Sequence, residues 1–162
     1  LDIEISKDTP NGTTKILVKF IITPKIRSSN IVSLAESLLE NFNEGDTIIL
    51  VIKDKLTADE ALETSLKQIY DKTKIFVQYF WINQLTFNIT EHDLVPEHEI
   101  MSEEEQNELV ANLNIKTIDS LPTIKLTDPV SKFYGIKEGQ VFKITRQSES
   151  SGKSIVYRQC KM

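Results

Sequence analysis

The two histidines of the chain lie in blocks of acidic residues, Glu-His-Asp at 91–93 and Glu-His-Glu at 97–99. Imidazole beside carboxylates is suited to metal binding or to proton transfer. The spacing of the blocks matches neither His-Glu-x-x-His nor another zinc motif, and Pro96 breaks any helix that would align them. We therefore expect structural or contact roles for both residues. A metal-dependent hydrolase built on His92 and His98 remains the least favoured hypothesis.

Two further motifs lack the partners that their chemistry needs. Gly-Lys-Ser at 152–154 is similar to the end of a phosphate-binding loop, yet Gln147 stands where that loop has glycine, and a strand pattern follows. Cys160, the single cysteine, has no base near it in the sequence. One cysteine also excludes a disulfide framework and is typical of a reducing compartment. We predict no catalytic residue, metal, cofactor or small-molecule substrate.

Charge is unevenly distributed along the chain, whose net charge is −5. Residues 88–120 contain nine acidic residues and one lysine, whereas residues 121–162 contain eight basic residues and three acidic ones. This switch predicts two oppositely charged faces that orient a protein partner. The alternative is a solvated acidic helix followed by an ordinary strand surface. The basic segment 121–162 also permits a second hypothesis, a free-standing DNA-binding module.

The length of 162 residues suits one domain or two small ones, and an apolar content of 40% is enough for a hydrophobic core. No stretch approaches the roughly 20 apolar residues of a transmembrane helix, so we predict no membrane contact. The chain begins at Leu1, within an expected strand, and we expect an upstream segment.

The first half of the chain alternates strand and helix patterns. Apolar, β-branched runs predict strands at 15–23, 47–52 and 74–81. Helical spacing of apolar residues predicts helices at 30–42 and 58–70. Their N-caps are expected at Ser28, Ser29 or Asn30 for the first helix and at Thr57 for the second. This order predicts an α/β domain at 1–87 with a small, largely parallel sheet and flanking helices.

The pattern changes at 86–89. Residues 88–100 follow neither the helical nor the strand period. Ser102 and Glu105 form a capping box that starts a helix, which is expected to end near Leu113. A short helical turn is predicted over 128–135, with Pro129 in its first turn and Gly135 at its end.

Two alternating strands are predicted at 139–146 and 154–160, and the turn-rich 147–153 between them predicts a hairpin. Such strands can form backbone hydrogen bonds with an extended segment of a partner protein. The sequence thus predicts a smaller α+β domain at 88–162.

Three stretches of the second half read NITEHDLVPEHEIM at 88–101, DPVSKFYGIKEGQVFKI at 128–144 and RQSESSGKSIVYR at 146–158. In this order they closely resemble the fifth shared subunit of eukaryotic DNA-directed RNA polymerases, whose smaller archaeal counterpart consists of the C-terminal domain alone. The resemblance is weaker over 14–87, where the order of elements still fits the N-terminal domain of the eukaryotic subunit. The family has an additional helical segment upstream of residue 1.

The resemblance implies a non-catalytic RNA polymerase subunit, since nucleotidyl transfer belongs to the two largest subunits. It implies that 88–162 is an assembly domain that docks on the largest subunit of the core enzyme. It also implies that 1–87 is a jaw domain that reaches toward downstream duplex DNA. A protist source would place the protein in the nucleus, whereas a large DNA virus would place it in the cytoplasm or virion.

Partner contacts are expected among apolar, aromatic and arginine side chains and within the blocks that resemble the family. These candidates are His92, Leu94, Val95, Pro96, His98, Asp128, Pro129, Tyr134, Gly135, Arg146, Tyr157 and Arg158. The DNA-proximal candidates are Lys53, Lys55, Thr57 and Lys67. The segment 56–61 departs from the family because Ala58 replaces a proline and Asp59 and Glu60 add negative charge. Either this loop stands away from DNA or the neighbouring lysines compensate.

Overall fold

The computed structural model describes residues 2–9, 12–23, 26–56, 59–148 and 152–161. The chain divides into two compact units, Leu1–Phe87 and Asn88–Met162, called unit 1 and unit 2 below. Within the described ranges, each unit has one four-stranded sheet and two α-helices, so the architecture is mixed α/β. None of the described helices combines the length and apolar character needed to cross a bilayer.

Unit 1 alternates strands and helices as predicted. Its elements are β1 (Asp2–Thr9), β2 (Gly12–Ile21), α1 (Ser28–Leu39), β3 (Thr47–Ile52), α2 (Asp59–Thr73) and β4 (Phe76–Trp81). The strand order is β1-β2-β3-β4, in which β2, β3 and β4 are parallel and β1 is an antiparallel edge strand. Two successive right-handed crossovers in one direction place both helices on the same face of the sheet.

The core of unit 1 lies between this helix-covered face and the two helices. The buried side chains are Ile31 and Ala35 of α1, Leu62, Leu66 and Ile69 of α2, Ile48, Leu50 and Ile52 of β3, and Val77 and Tyr79 of β4. Alternate residues point to the opposite face, which is also apolar. That second face contains exposed or half-buried side chains of Ile3, Ile5, Val18, Phe20, Ile49 and Phe80. Val51, which pairs with Phe20 and Phe80 on this face, is buried at 3% exposure.

Several predicted boundaries in unit 1 were wrong. The N-cap of α1 is Arg27, not Ser28, Ser29 or Asn30, and its side chain makes no capping hydrogen bond. The helix starts earlier because the Arg27 carbonyl already accepts from the backbone N–H groups of Asn30 and Ile31. Helix α2 continues to Thr73 and stops where Lys74 adopts a left-handed φ of 57°. Thr57, the predicted cap of α2, lies outside the described residues.

Over its described residues, unit 2 contains two α-helices and four strands. Its elements are β5 (Glu97–Ile100), α3 (Glu103–Leu113), β6 (Thr123–Lys125), α4 (Pro129–Tyr134), β7 (Val141–Ser148) and β8 (Gly152–Lys161). The strand order is β5-β7-β8-β6. The predicted hairpin is confirmed by the antiparallel pairing of β7 with β8, although 149–151 at its tip lies outside the described residues. Strand β5 is antiparallel to β7, and β6 is parallel to β8.

The local signals for both helices of unit 2 are confirmed. The Ser102 N–H donates to Glu105 Oε2 at 2.7 Å, and the Glu105 N–H donates to Ser102 Oγ at 3.2 Å, which is a capping box. Asp128 caps α4 by accepting from the Val130 N–H at 2.9 Å. Gly135 ends that helix with a φ of 61°, a conformation that glycine adopts without a steric penalty.

Two strands of unit 2 were not predicted. Strand β5 lies within 88–100, for which the sequence analysis predicted no regular period, and β6 is only three residues long. A strand this short carries too few alternations to be recognised, and it exists because β8 offers a pairing partner.

The sheet of unit 2 carries one apolar cluster on each face. On one face, Val141 of β7 packs with Met101, Leu121 and Leu109 of α3. On the other, Phe142, Ile144 and Cys160 pack with Ile136 and with the half-buried ring of Tyr134 from α4. The alternation of neighbouring β7 residues between the two clusters places both helices on a shared two-sided sheet.

Candidate docking surface

The segment 88–96, which leads into β5, has a fixed but non-repetitive backbone. The Asn88 side chain accepts from the Thr90 N–H at 3.1 Å and caps a 3-10 turn at Ile89–Glu91. The Leu94 N–H then donates to His92 Nδ1 at 3.2 Å, and the Val95 N–H donates to the His92 carbonyl at 2.8 Å. These bonds hold Leu94 outward, where its side chain is 85% exposed.

The two histidines have different environments. The His92 side chain is exposed, whereas His98 is only 7% exposed on β5. His98 Nδ1 lies 2.6 Å from the Pro96 carbonyl oxygen. Since a carbonyl only accepts, this nitrogen must carry the proton. The His98 ring also meets Phe142 edge-on at 5.2 Å and lies 6.2 Å from Tyr134, so it leaves little surface for a partner.

The candidates in 128–135 are the residues that build α4. Asp128, Pro129 and Gly135 are its N-cap, first residue and C-cap. Their positions orient Tyr134, whose ring packs edge-on against Phe142 at 5.6 Å and Phe133 at 5.4 Å. Phe133 is 50% exposed and was not selected from the sequence. The sequence did contain a signal for the exposure of Phe133, because it is adjacent to Tyr134 in a short helix. Two adjacent aromatic rings cannot both point into one small core.

The candidates on the hairpin also divide into packed and free side chains. Tyr157 is half-buried against the cluster around Val141. Arg158 donates from Nη1 to the Thr123 carbonyl at 2.9 Å, which ties β8 to β6. Arg146 is exposed on β7 and lies opposite Ser154. Ile155 of β8 is 49% exposed and was also not selected from the sequence, although the strand pattern placed it on the face of Tyr157.

Acidic and basic residues occupy opposite edges of the sheet in unit 2. Glu97 and Glu99 lie on the edge strand β5, while exposed Lys125 lies on the opposite edge strand β6 and exposed Lys153 lies on the adjacent β8. Two ion pairs link the charge types, Lys143 with Glu99 at 2.9 Å and Lys161 with Asp119 at 3.0 Å. The hydrogen bond to Glu99 raises the pKa of Lys143, and the one from Lys161 lowers the pKa of Asp119. Both pairs are solvent-exposed, so their contribution to stability is small.

In unit 1, the lysine candidates lie near the carboxyl end of β3. Lys53 and Lys55 are exposed just after that strand, and Lys55 Nζ lies 5.1 Å from the centre of the Trp81 ring at the end of β4. Carboxyl ends of adjacent parallel strands meet at one edge, which brings these residues together. Lys67 is half-buried in α2. Thr57 and Ala58, and the side chains of Asp59 and Glu60, lie outside what the structure describes.

Possible metal positions and the one cysteine were compared with the exposed surface of unit 2. No group of three or more His, Cys, Asp or Glu side chains in the described ranges converges on a possible metal position. Burial raises the pKa of the Cys160 thiol to about 11, so this sulfur stays protonated at neutral pH and is a poor nucleophile. The exposed apolar and charged side chains of unit 2 are suited to a protein interface.

The sequence of unit 2 matches a known family model. The model for "RNA polymerase Rpb5, C-terminal domain" matches residues 87–160. The chain is 33% identical over 156 residues to the subunit rpabc1 of DNA-directed RNA polymerases I, II and III of Dictyostelium discoideum, covering 96% of this chain and 76% of the relative.

Two further relatives align over shorter stretches. Subunit RPABC1 of Caenorhabditis elegans is 46% identical over 85 residues, which is 52% of this chain and 40% of the relative. The archaeal RNA polymerase subunit Rpo5 of Sulfolobus acidocaldarius is 48% identical over 71 residues, which is 44% of this chain and 83% of the relative. Higher identity over the shorter alignments indicates that one part of the chain resembles its relatives more than the rest does.

Proposed function

Because this chain belongs to the Rpb5 family of DNA-directed RNA polymerase subunits, we propose that it is a non-catalytic structural subunit of a multisubunit RNA polymerase. Unit 2 docks on the largest subunit of the core enzyme, and unit 1 forms a jaw near downstream duplex DNA. The nucleotidyl transfer of the assembled enzyme belongs to its two largest subunits. The protein is nuclear if its source is a cellular eukaryote, and cytoplasmic or in the virion if a large DNA virus encodes it.

The observation that carries the docking proposal is the exposure of Leu94 on a backbone that hydrogen bonds hold in place. Leu94 is 85% exposed, and the bonds to His92 fix the chain on both sides of Asp93. A large apolar side chain on a rigid segment loses little conformational entropy when a partner covers it. The buried anchor of His98 behind this segment supports the same role, because it ties the segment to the sheet.

The jaw proposal is supported by Lys53 and Lys55, which offer exposed ammonium groups at one edge of unit 1. Stacking on Trp81 restricts Lys55 and keeps its charge at this edge. Phosphate contacts of this kind are electrostatic and independent of DNA sequence. We expect this contact to be weak, because Asp59 and Glu60 follow closely in the chain.

A pair of leucine variants tests the docking proposal. Leu94→Ser removes the exposed apolar anchor, and Leu113→Ser makes the same change at the end of α3, where the side chain is 47% exposed. Tagged full-length proteins are expressed in the native source, and the co-purified polymerase is measured. We expect Leu94→Ser to recover about tenfold less polymerase than Leu113→Ser, since an apolar interface anchor contributes about 1–3 kcal/mol. Equal recovery from two folded variants would contradict a contact at Leu94.

A second candidate function is a free-standing DNA-binding module that uses the basic segment 121–162. The exposed side chains of Lys125, Arg146 and Lys153 favour it. This hypothesis predicts that the isolated chain binds duplex DNA and that binding weakens steeply with salt. A gel-shift titration at low salt tests it, and the absence of a shift would exclude the hypothesis.

A further inference from the structure

Strand β8 has one edge that is open over most of its length. Strand β7 pairs with it over Gly152–Gln159, but β6 pairs only with Gln159, Cys160 and Lys161 on the other side. Among the described residues, no strand pairs with that other side over 152–158. At about 3.3 Å per residue the open stretch is about 20 Å long, enough for a strand of ordinary length.

The backbone groups at this edge can be assigned from the ladder. The Cys160 N–H donates to the Gln140 carbonyl at 2.8 Å on the β7 side, and the Gln159 N–H donates to the Pro122 carbonyl at 2.9 Å on the opposite side. Alternate residues of an antiparallel strand bond to opposite neighbours. The N–H groups of Ser154, Val156 and Arg158 therefore face β7, whereas those of Lys153, Ile155 and Tyr157 face the open edge.

The side chains beside the open edge select a partner by chemistry. Ile155 and Tyr157 lie on the same face of β8, where Ile155 is 49% exposed and Tyr157 is half-buried. Exposed Lys153 lies at one end of the edge, and exposed Arg146 lies on β7 opposite Ser154. Segment 121–162 as a whole has eight basic and three acidic residues. Apolar contacts next to Ile155 and a negative charge near Lys153 would complement this edge.

We propose that the open edge of β8 binds an extended segment of the polymerase core as an added strand of the sheet, and that this segment carries an acidic and an apolar residue two positions apart, on the face of Lys153 and Ile155. This inference rests on the proposed function and names the way in which unit 2 docks. Backbone pairing with Lys153, Ile155 and Tyr157 supplies affinity, and the side chains of Ile155 and Lys153 supply specificity. A bare, flat edge would invite non-specific pairing, and the Lys153 charge disfavours partners without a carboxylate.

Amide hydrogen exchange of the full chain tests this directly, because alternate residues should behave differently. In the free protein, the amides of Ser154, Val156 and Arg158 are expected to be protected, and those of Lys153, Ile155 and Tyr157 to exchange rapidly. In the purified polymerase the second set should slow by at least about tenfold, as newly hydrogen-bonded amides do. Residue-resolved mass spectrometry after quenching measures both sets.

A matched pair of variants gives an independent readout. Ile155→Pro removes the N–H at the open edge without removing a bond to β7, whereas Ile155→Thr also loses the isoleucine side chain but keeps that N–H. We expect the proline variant to co-purify with about tenfold less polymerase than the threonine variant, because one interface hydrogen bond is lost and its acceptor stays unpaired. Should the proline variant fail to fold, the exchange pattern of the unmodified chain decides alone.

The outcomes separate this inference from the proposed function. If the unmodified chain recovers no polymerase, the proposed function fails. If polymerase is recovered while Lys153, Ile155 and Tyr157 exchange as rapidly as in the free chain, the added strand is wrong and docking uses another surface. Concentration-dependent protection of these amides in the free chain, with the mass of a dimer, would make the occupant a second copy and would also overturn the proposal.

Discussion

The sheets of the two units bury their apolar residues differently. In unit 1, consecutive crossovers place both helices on one face, and Ile49 and Phe80 on the other face remain half-buried. In unit 2, α3 and α4 cover opposite faces, and the free surface is an edge and an irregular segment instead of a face. The comparison indicates that the described residues of unit 2 pack both faces of their sheet and present localised contacts. Unit 1, as described, has a second apolar face on which Val51 is buried and the other apolar side chains are exposed or half-buried.

Separating the units at residue 87 is expected to have the largest effect. A fragment 88–162 should remain monomeric and unfold cooperatively, because both faces of its sheet are packed. A fragment 1–87 should self-associate through the face that includes Ile3, Ile5 and Phe20. Sedimentation and thermal unfolding of both fragments measure this. A molten 88–162, or a monomeric 1–87, would remove the contrast between the units.

Two substitutions in β3 compare the faces of unit 1 within one strand. Leu50 is fully buried under the helices, so Leu50→Ala should lower the free energy of unfolding by about 2–5 kcal/mol. Ile49→Ala on the opposite face should cost less than half as much, since its side chain is only half-buried. Denaturant titration of the full chain gives both values. Equal losses would mean that something covers the second face.

Substitutions of the two histidines of unit 2 should have smaller effects on the free energy of unfolding. His98→Ala removes the hydrogen bond to Pro96 and the ring contact with Phe142, and should lower the free energy of unfolding by about 1–3 kcal/mol. His92→Ala, on an exposed side chain, should cost about 0.5 kcal/mol or less. Thermal melts at pH 7 test this pair. A destabilising His92→Ala together with a neutral His98→Ala would contradict the assignment of His98 as the structural histidine.

Substitutions at helix caps should give the smallest differences in the free energy of unfolding. Ser102→Ala removes a side-chain cap from α3 and should lower the free energy of unfolding by about 1 kcal/mol. Ser29→Ala in α1 should lower it much less, because the Ser29 side chain caps no helix end.

Hydrogen bonds from the backbone and side chain of Ser102 lower the pKa of Glu105. Because its pKa is lower in the folded state, the ionised carboxylate of Glu105 stabilises the fold at pH values above the unfolded-state pKa. This stabilisation is lost as the pH falls through the folded-state pKa.

Alanine keeps the Ser102 backbone N–H, which lowers the pKa of Glu105 most, and removes only the side-chain hydrogen bond. The part of the Ser102→Ala cost that comes from that side-chain bond should shrink in acid. Denaturant titrations of the variant and the unmodified chain at neutral and acid pH check this. A cost that grows on acidification would contradict the capping box as the source of the stability.

Local signals in the sequence were sufficient where the relevant partners lie within a few residues. The continuous apolar run at Thr47–Ile52 predicted β3 with its observed bounds, and the Ser102–Glu105 pair predicted the start of α3. Strand β6 and the burial of His98 could not be predicted in this way, because both depend on residues distant in sequence, in β8 and β7. For the docking candidates, the sequence selected blocks by resemblance, and these contacts stay predictions. It could not separate exposed Leu94 and Arg146 from Arg158, which bonds within its own unit.

Affinity purification of the tagged full-length protein from its native source in high salt shows whether this chain is a subunit of an RNA polymerase. Bound proteins are identified and quantified by mass spectrometry. We expect stoichiometric recovery of the two largest polymerase subunits, since an assembly interface with an apolar centre resists salt. Recovery of the tagged chain alone would contradict this expectation.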